Sequence, residues 1–156
     1  MASSKYPLQN KWNLYFHNIK DNNWNLDSYQ HIYDFNNIEQ FWRLYNNYPK
    51  YNLGLYFLMK EGIAPIWEDE NNEKGGTYSF KINKNMISYA WEEISVRLIG
   101  ETLTDNPKLI TGISLHPKNN CYIIKIWCST KDIKLSFRTN LQYCNLKKSI
   151  YKKNII

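Results

Sequence analysis

The chain has 156 residues, 43% of them hydrophobic and 16% aromatic, with a formal net charge of +6 and a pI near 9.1. That length fits one domain with a sizeable core, and the charge favours an anionic partner, nucleic acid or phosphate first. No apolar run approaches the ~18–20 residues of a membrane span, and Cys121, Cys128 and Cys144, without a C-x-x-C pair or a histidine cluster, argue against zinc and for reduced thiols inside a cell.

In chain order, Met1 to Lys5 reads as a flexible lead, and 6–156 as a single domain. Leu8, Trp12, Leu14 and Phe16 share one parity, the pattern of a strand with one buried face. The polar run Asn18 to Asn23 then delivers Trp24 on a loop, poorly placed to be core. Tyr29, His31, Tyr33 and Phe35 alternate in a second strand over Ser28 to Phe35. Asn36 or Asn37 caps a helix with Glu39 in its first turn. Ile38, Phe41, Trp42 and Tyr45 follow helical spacing, and Pro49 ends the helix. Trp42 is either core or part of an exposed partner surface. Leu53 to Lys60 is a third strand. Gly75-Gly76 turns into a fourth, Thr77 to Ile82. Ser88 is the expected cap of a second helix running to about Ile99, ended by Gly100. Ile110 to Leu115 and Tyr122 to Trp127 form a hairpin. The Lys-rich segment from Asp132 to Lys153 holds a short helix and one last strand. The sum is an α+β domain: an antiparallel sheet with helices on one face and the other face free for a ligand.

The stretch Ile66-Trp67-Glu68-Asp69, flanked by Gly62-Ile63-Ala64-Pro65 and Lys74-Gly75-Gly76, carries the chemistry. Gly and Pro mark turns, which puts a Trp ring directly before two carboxylates on a loop. A Trp face stacks on a base, and a carboxylate accepts from the N–H edge of guanine. A core Trp with two solvated acids is the other reading of the same residues.

Several blocks in order resemble the messenger-RNA cap-binding translation initiation factor 4E family. They are Pro7-Leu8-Gln9-Asn10-Lys11-Trp12, Ile38-Glu39-Gln40-Phe41-Trp42-Arg43-Leu44-Tyr45-Asn46, Gly62 to Glu70 followed by Lys74-Gly75-Gly76, Leu98-Ile99-Gly100-Glu101, and Ile126-Trp127. The resemblance implies a curved sheet with helices on its convex back and a cap in the concave face. It assigns Trp24 and Trp67 to a sandwich around 7-methylguanine, whose positive charge adds a cation–π attraction. Glu68 is expected to accept from the base edge with charge assistance, and Trp127 to lie beside the methyl group.

The phosphate side departs from the family pattern. Lys118 falls where the family has an Arg, keeping the charge but losing the fork. The family's next phosphate Lys falls on Ile123, and Lys125 is either its substitute or a solvated surface Lys. Lysines of the C-terminal segment are a further source of charge. That segment is shorter than usual, and the family's loop over the phosphates is expected to be reduced.

The resemblance also implies a convex surface of Pro7, Ile38, Trp42, Glu93, Val96 and Gly100. It would receive a Tyr-x-x-x-x-Leu-Φ helix from a scaffold initiation factor or a repressor, with Glu92 standing where an apolar contact is usual. The expected partners are thus capped mRNA and such a protein, with a monomer in the cytoplasm (or the nucleus) and no membrane, metal or cofactor. The alternative is a cap-binding repressor or decoy that does not engage the scaffold. Catalysis is not expected, because the histidines are scattered, no nucleophile motif is present, and the acids are too dispersed to hold a catalytic metal.

Overall fold

The computed structural model describes residues 6–48, 50–51, 54–130, 137 and 141–154. The expected lead over 1–5, and the positions of Pro49 and Leu53, lie outside these. Among the described residues seven strands form one curved antiparallel sheet: β1 (Pro7–Asn18), β2 (Gln30–Asn37), β3 (Gly54–Lys60), β4 (Gly76–Asn83), β5 (Ile110–Pro117), β6 (Cys121–Cys128) and β7 (Ile150–Lys153). Their order across the sheet is β2-β1-β3-β5-β6-β4-β7. Two α-helices, α1 (Ile38–Tyr45) and α2 (Ile87–Ile99), cover the convex face. The expected α+β architecture is the one observed.

Alternation decides which face each strand buries. Trp12 and Leu14 of β1, Phe35 of β2, Leu58 of β3, Phe80 and Ile82 of β4, Ile113 and Leu115 of β5, and Ile124 and Ile126 of β6 all turn toward the helices. Phe41 and Leu44 of α1 meet them, as do Ala90, Trp91, Ile94 and Leu98 of α2. A one-residue slip of a strand would move its share of this set to the other face, at about 1.5–3 kcal/mol per large apolar side chain. The opposite, concave face holds a smaller cluster of Leu55, Phe57, Met59 and Trp127.

Helix α1 starts where the Asn37 side chain accepts from the Gln40 N–H at 2.8 Å, so Asn37 is the cap. It ends at Tyr45, with Asn46 as its C-cap. Phe41 is buried while Trp42 stays 38% exposed, which makes Trp42 a surface residue of the convex side. Helix α2 corrects an expectation. A 3-10 turn over Lys84–Met86 leads straight into it, Met86 occupies the cap position without a side-chain cap bond, and Ser88 lies inside the first turn. The C-terminal segment supplies a 3-10 turn, Leu146–Lys148, and then β7, which pairs with β4 at the sheet edge. Among the described residues no helix is long and apolar enough to cross a membrane, and Cys121, Cys128 and Cys144 are free thiols.

Candidate ligand slot on the concave face

The loop from β3 to β4 carries Trp67 and is shaped from within. Gly62, at φ +83°, turns the chain in a left-handed conformation that suits glycine. The two acids after Trp67 then diverge in role. Asp69 is used internally, accepting from the Ala64 N–H at 2.9 Å and the Asn71 N–H at 2.8 Å. Glu68 is exposed and carries no hydrogen bond or ion pair among the described residues. Asn72 pins the loop to the sheet. It is 0% exposed, its Nδ2 donates to the carbonyls of Ile66 at 2.9 Å and Ala64 at 3.3 Å, and its Oδ1 accepts from the Thr111 hydroxyl at 2.7 Å. Asn154 Nδ2 donates to the Asn72 carbonyl at 2.7 Å. The loop closes at Gly75, where a Cβ would come within 1.8 Å of the Cys128 carbonyl oxygen, so no side chain fits.

Trp67 (41% exposed) lines a slot of about 400 Å³ with Thr77, Lys125, Trp127, Lys152, Lys153 and Asn154. Register explains the grouping. Trp127 of β6 pairs with Thr77 of β4, which pairs with Lys152 of β7, so the three lie in one row. Lys125 is one pleat away on the same face of β6. Trp127 is 6% exposed. Its Nε1–H donates to Ser114 Oγ at 2.9 Å, and its ring meets the Phe57 edge at 6.1 Å. Burial, then the ammonium groups of Lys118 and Lys152, pull the Lys125 pKa below its ordinary value. Lys125, beside the two indoles, therefore lies in the field of two further cations, an arrangement an anion relieves.

Trp24 belongs to a separate loop and is not among the residues lining that slot. Asx turns order its polar stretch: Asn18 accepts from Lys20 N–H, Asp21 from Asn23 N–H, and Asn23 from Asn25 N–H, at 2.8–2.9 Å. Trp24 is 50% exposed, and one face of its ring stacks on His17 at 3.9 Å and 8°. His17 is itself fully buried. Its Nε2–H donates to the Asn23 carbonyl at 2.7 Å, which leaves Nδ1 buried without a partner. Tyr29 packs on His17 at 4.9 Å and on Phe57 at 5.3 Å. A continuous aromatic path thus runs from Trp24 through His17, Tyr29 and Phe57 to Trp127. Burial and then the Glu68 charge push the Tyr29 hydroxyl up to about 12, which puts Glu68 within electrostatic reach of this path. Neither His17 nor Asn72 was expected from the sequence.

Beneath Lys125, burial and then the charges of Lys125 and Lys118 push His116 down to about 3. With the ring neutral, Ser114 Oγ accepts from Trp127 and donates to His116 Nε2 at 2.7 Å. The folded state therefore resists a proton that the unfolded chain accepts as pH falls below ~6.5. The associated stability is present above that value and is lost on acidification. Between pH 7 and pH 5 the parent is expected to lose about 1–2 kcal/mol more than a His116→Gln variant, read from urea midpoints. Equal losses in the two proteins would remove His116 as the source.

On the convex side, Pro7 pairs with Asn37, and the Ile38 N–H bonds to the Tyr6 carbonyl at 3.0 Å, so Pro7, Ile38 and Trp42 adjoin. Val96 is 39% exposed, and Gly100 follows on the C-terminal end of α2, its N–H bonded to the Val96 carbonyl at 3.0 Å. Glu92 is half-buried and faces the hydroxyls of Tyr45 and Tyr51, whose pKa values it helps raise after burial itself. Glu93 accepts from the N–H groups of Gln142, Tyr143 and Cys144 at 2.7, 2.8 and 3.1 Å. Its carboxylate thus anchors the C-terminal segment, and Tyr143 stacks on Tyr89 at 5.1 Å beside it.

The protein is thus an α+β domain with a curved sheet, helices on its back and an indole-lined, lysine-flanked slot in front. The sequence model described as Eukaryotic initiation factor 4E matches residues 7–154, and the chain belongs to that family. It is 37% identical over 142 residues to eukaryotic translation initiation factor 4E of Candida albicans, covering 83% of this chain and 66% of the relative. The human factor is 34% identical over 132 residues, covering 79% of this chain and 60% of the relative. The chain therefore spans less than two thirds of the length of these two relatives. Among solved structures, Ascaris suum eIF4E-3 with an m7G cap superposes with a TM-score of 0.74 at 30% identity, over 81% of this chain and 75% of that one. Caenorhabditis elegans eIF4E-3 in complex with the 4E-binding protein Mextli gives 0.73 at 28% identity, over 81% and 76%.

Proposed function

We propose that this protein binds the 7-methylguanosine 5′ cap of mRNA and, through a scaffold partner, recruits it for translation initiation in the cytoplasm. The observation that carries the reading is the slot itself: Trp67 and Trp127 share it with Lys125 and Lys152, while the Glu68 carboxylate has no hydrogen bond or ion pair among the described residues. The methylated base lies between Trp24 and Trp67, with Trp127 beside the methyl group. Its N1–H and exocyclic amine donate to Glu68, and the backbone N–H of Trp67, which has no protein acceptor among the described residues, donates to the guanine oxygen. The triphosphate meets Lys125 and Lys118, with Lys152 from β7 supplying the cation that Ile123 does not. The role is binding rather than catalysis, and no group of three or more His, Cys, Asp or Glu among the described residues could hold a metal.

The test is quenching of Trp fluorescence by 7-methyl-GTP and by GTP, on the parent and on Glu68→Ala. The parent is expected to bind the methylated ligand at least tenfold more tightly than GTP, since the positive ring strengthens both stacking and the carboxylate bonds. Loss of those bonds is expected to weaken 7-methyl-GTP by about 1.5–3 kcal/mol and to leave GTP less affected. Equal binding of the two nucleotides by the parent would sink the cap reading.

For the scaffold, Pro7, Ile38, Trp42, Val96 and Gly100 form the surface for a helical peptide. Glu93 already anchors residues 142–144, so a cation on that peptide must share or displace those N–H groups. This engagement, with Glu92 beside it, favours as second reading a cap-binding repressor that engages the scaffold weakly or not at all.

A further inference from the structure

A second cleft, of about 740 Å³, lies where β5 turns into β6. Lys81 of β4, Lys84 of the turn into α2 and Lys118 of the β5–β6 turn bound it, with Asn119 and Asn120 between them, and none of the ten lining residues is acidic. The three lysines have no ion pair among the described residues. Ile19, Pro117 and Ile123 give the cleft an apolar floor, and Ile19 is 47% exposed.

The cleft continues the slot. Ile123 lies on the same face of β6 as Lys125 and Trp127, at alternate positions, so the path from indole to cleft is about 14 Å at ~3.4 Å per residue. Lys81 pairs with Ile123 across the sheet. Lys118 lines the cleft and also acts electrostatically on Lys125, which lines the slot. The cations therefore run without a break from Lys152 through Lys125 and Lys118 to Lys81 and Lys84. A lone phosphate would need neither the volume, which is in the ~300–1,000 Å³ range of pockets for larger ligands, nor an apolar floor.

We propose that this cleft holds the first nucleotides of the RNA behind the cap, with Lys81 and Lys84 on backbone phosphates and Ile19 and Ile123 against a base. The proposal rests on the cap reading of the slot. It makes this protein sense capped RNA as more than a capped nucleotide, and gives the lysines of β4 and its following turn a function that the cap alone does not require.

The test compares 7-methyl-GTP, a capped hexanucleotide and the same hexanucleotide uncapped, on the parent and on Lys81→Glu/Lys84→Glu. Both lysines are exposed, and thermal melts verify that the variant folds; Lys81→Gln/Lys84→Gln gives a milder second variant. The parent is expected to bind the capped hexanucleotide about 5- to 10-fold more tightly than 7-methyl-GTP near 100 mM salt. Charge reversal is expected to abolish that gain, lower the salt slope by about 1.4, and leave 7-methyl-GTP within about twofold of the parent. The Gln pair is expected to fall between. A capped hexanucleotide that binds no better than 7-methyl-GTP, or a gain untouched by the reversal, overturns the proposal. If the parent fails to bind 7-methyl-GTP, the cap reading falls separately. The uncapped hexanucleotide at low salt then decides the cleft: binding that the reversal removes supports an RNA site, and absent or unaffected binding overturns it.

Discussion

Trp67→Ala is expected to weaken 7-methyl-GTP binding by about 2–3 kcal/mol, roughly 30- to 150-fold, while weakening GTP less. The indole supplies one stacking face for the base, and it is 41% exposed on a loop, so its removal leaves the core intact. Stacking accounts for about 1–3 kcal/mol per base, and the positive charge of the methylated ring adds to it. Fluorescence titration would be confounded by the loss of a reporter, so calorimetry is the better measurement. Trp24→Ala is expected to act in the same direction and, in addition, to uncover the buried face of His17. A loss under threefold for 7-methyl-GTP in the Trp67 variant would remove the indole from the binding site.

Asn72→Leu is expected to destabilise the fold by about 3–4 kcal/mol, roughly a 6–16 °C fall in melting temperature at ~2–4 °C per kcal/mol. The amide makes three side-chain bonds in a site closed to solvent. Leu has the same number of heavy atoms but leaves the Thr111 hydroxyl and the Ala64 carbonyl without the amide, and the Ile66 carbonyl with only the Asp69 N–H at 3.3 Å; each buried group that loses its partner costs about 1–3 kcal/mol. Thr111→Val removes one of these bonds and is expected to cost about 1 kcal/mol. The Leu variant should also loosen the segment bearing Trp67, which hydrogen exchange at residues 64–72 would report. A variant within 1 kcal/mol of the parent would deny Asn72 that role.

Much of the fold was legible because several of its strands alternate. The even positions of β1, β4 and β6 name the face turned to the helices, and α1 announces itself through Asn37 and the Phe41–Tyr45 spacing. The cap of α2 was misread because Ser88 has the right chemistry two residues too late, and the 3-10 turn over Lys84–Met86 leads into the helix without a side-chain cap. Sheet order was not legible, since antiparallel neighbours that are distant in sequence, such as β3 with β5, leave no local trace. The residues alone left Trp67 and Glu68 with two readings and put Trp24 on a loop; the resemblance assigned all three their roles, and these stand as proposals. His17 escaped notice because it occupies the solvent-facing parity of β1, where a polar residue is unremarkable. Asn72 escaped because nothing separates it from Asn71 until Thr111 arrives from β5. Lys152 was foreseen only as part of a basic tail, and the pairing of β7 with β4 is what brings it beside Trp127.

The stacking of Trp24 on buried His17 makes the two indoles unequal in time. One ring is already clamped from behind, at 3.9 Å, and loses little freedom when a ligand arrives. The other rides on a loop tied to the sheet chiefly around Asn72, so the ordering cost of closure falls mainly there. On the proposed reading, lifetime of the complex is governed by the Trp67 side, and changes around Asn72 should appear in the dissociation rate. The lysines at the mouth should govern how fast an anion is drawn in and should lose that influence as salt rises. A stopped-flow comparison would thus separate the two loops by kinetic phase even where their equilibrium effects coincide.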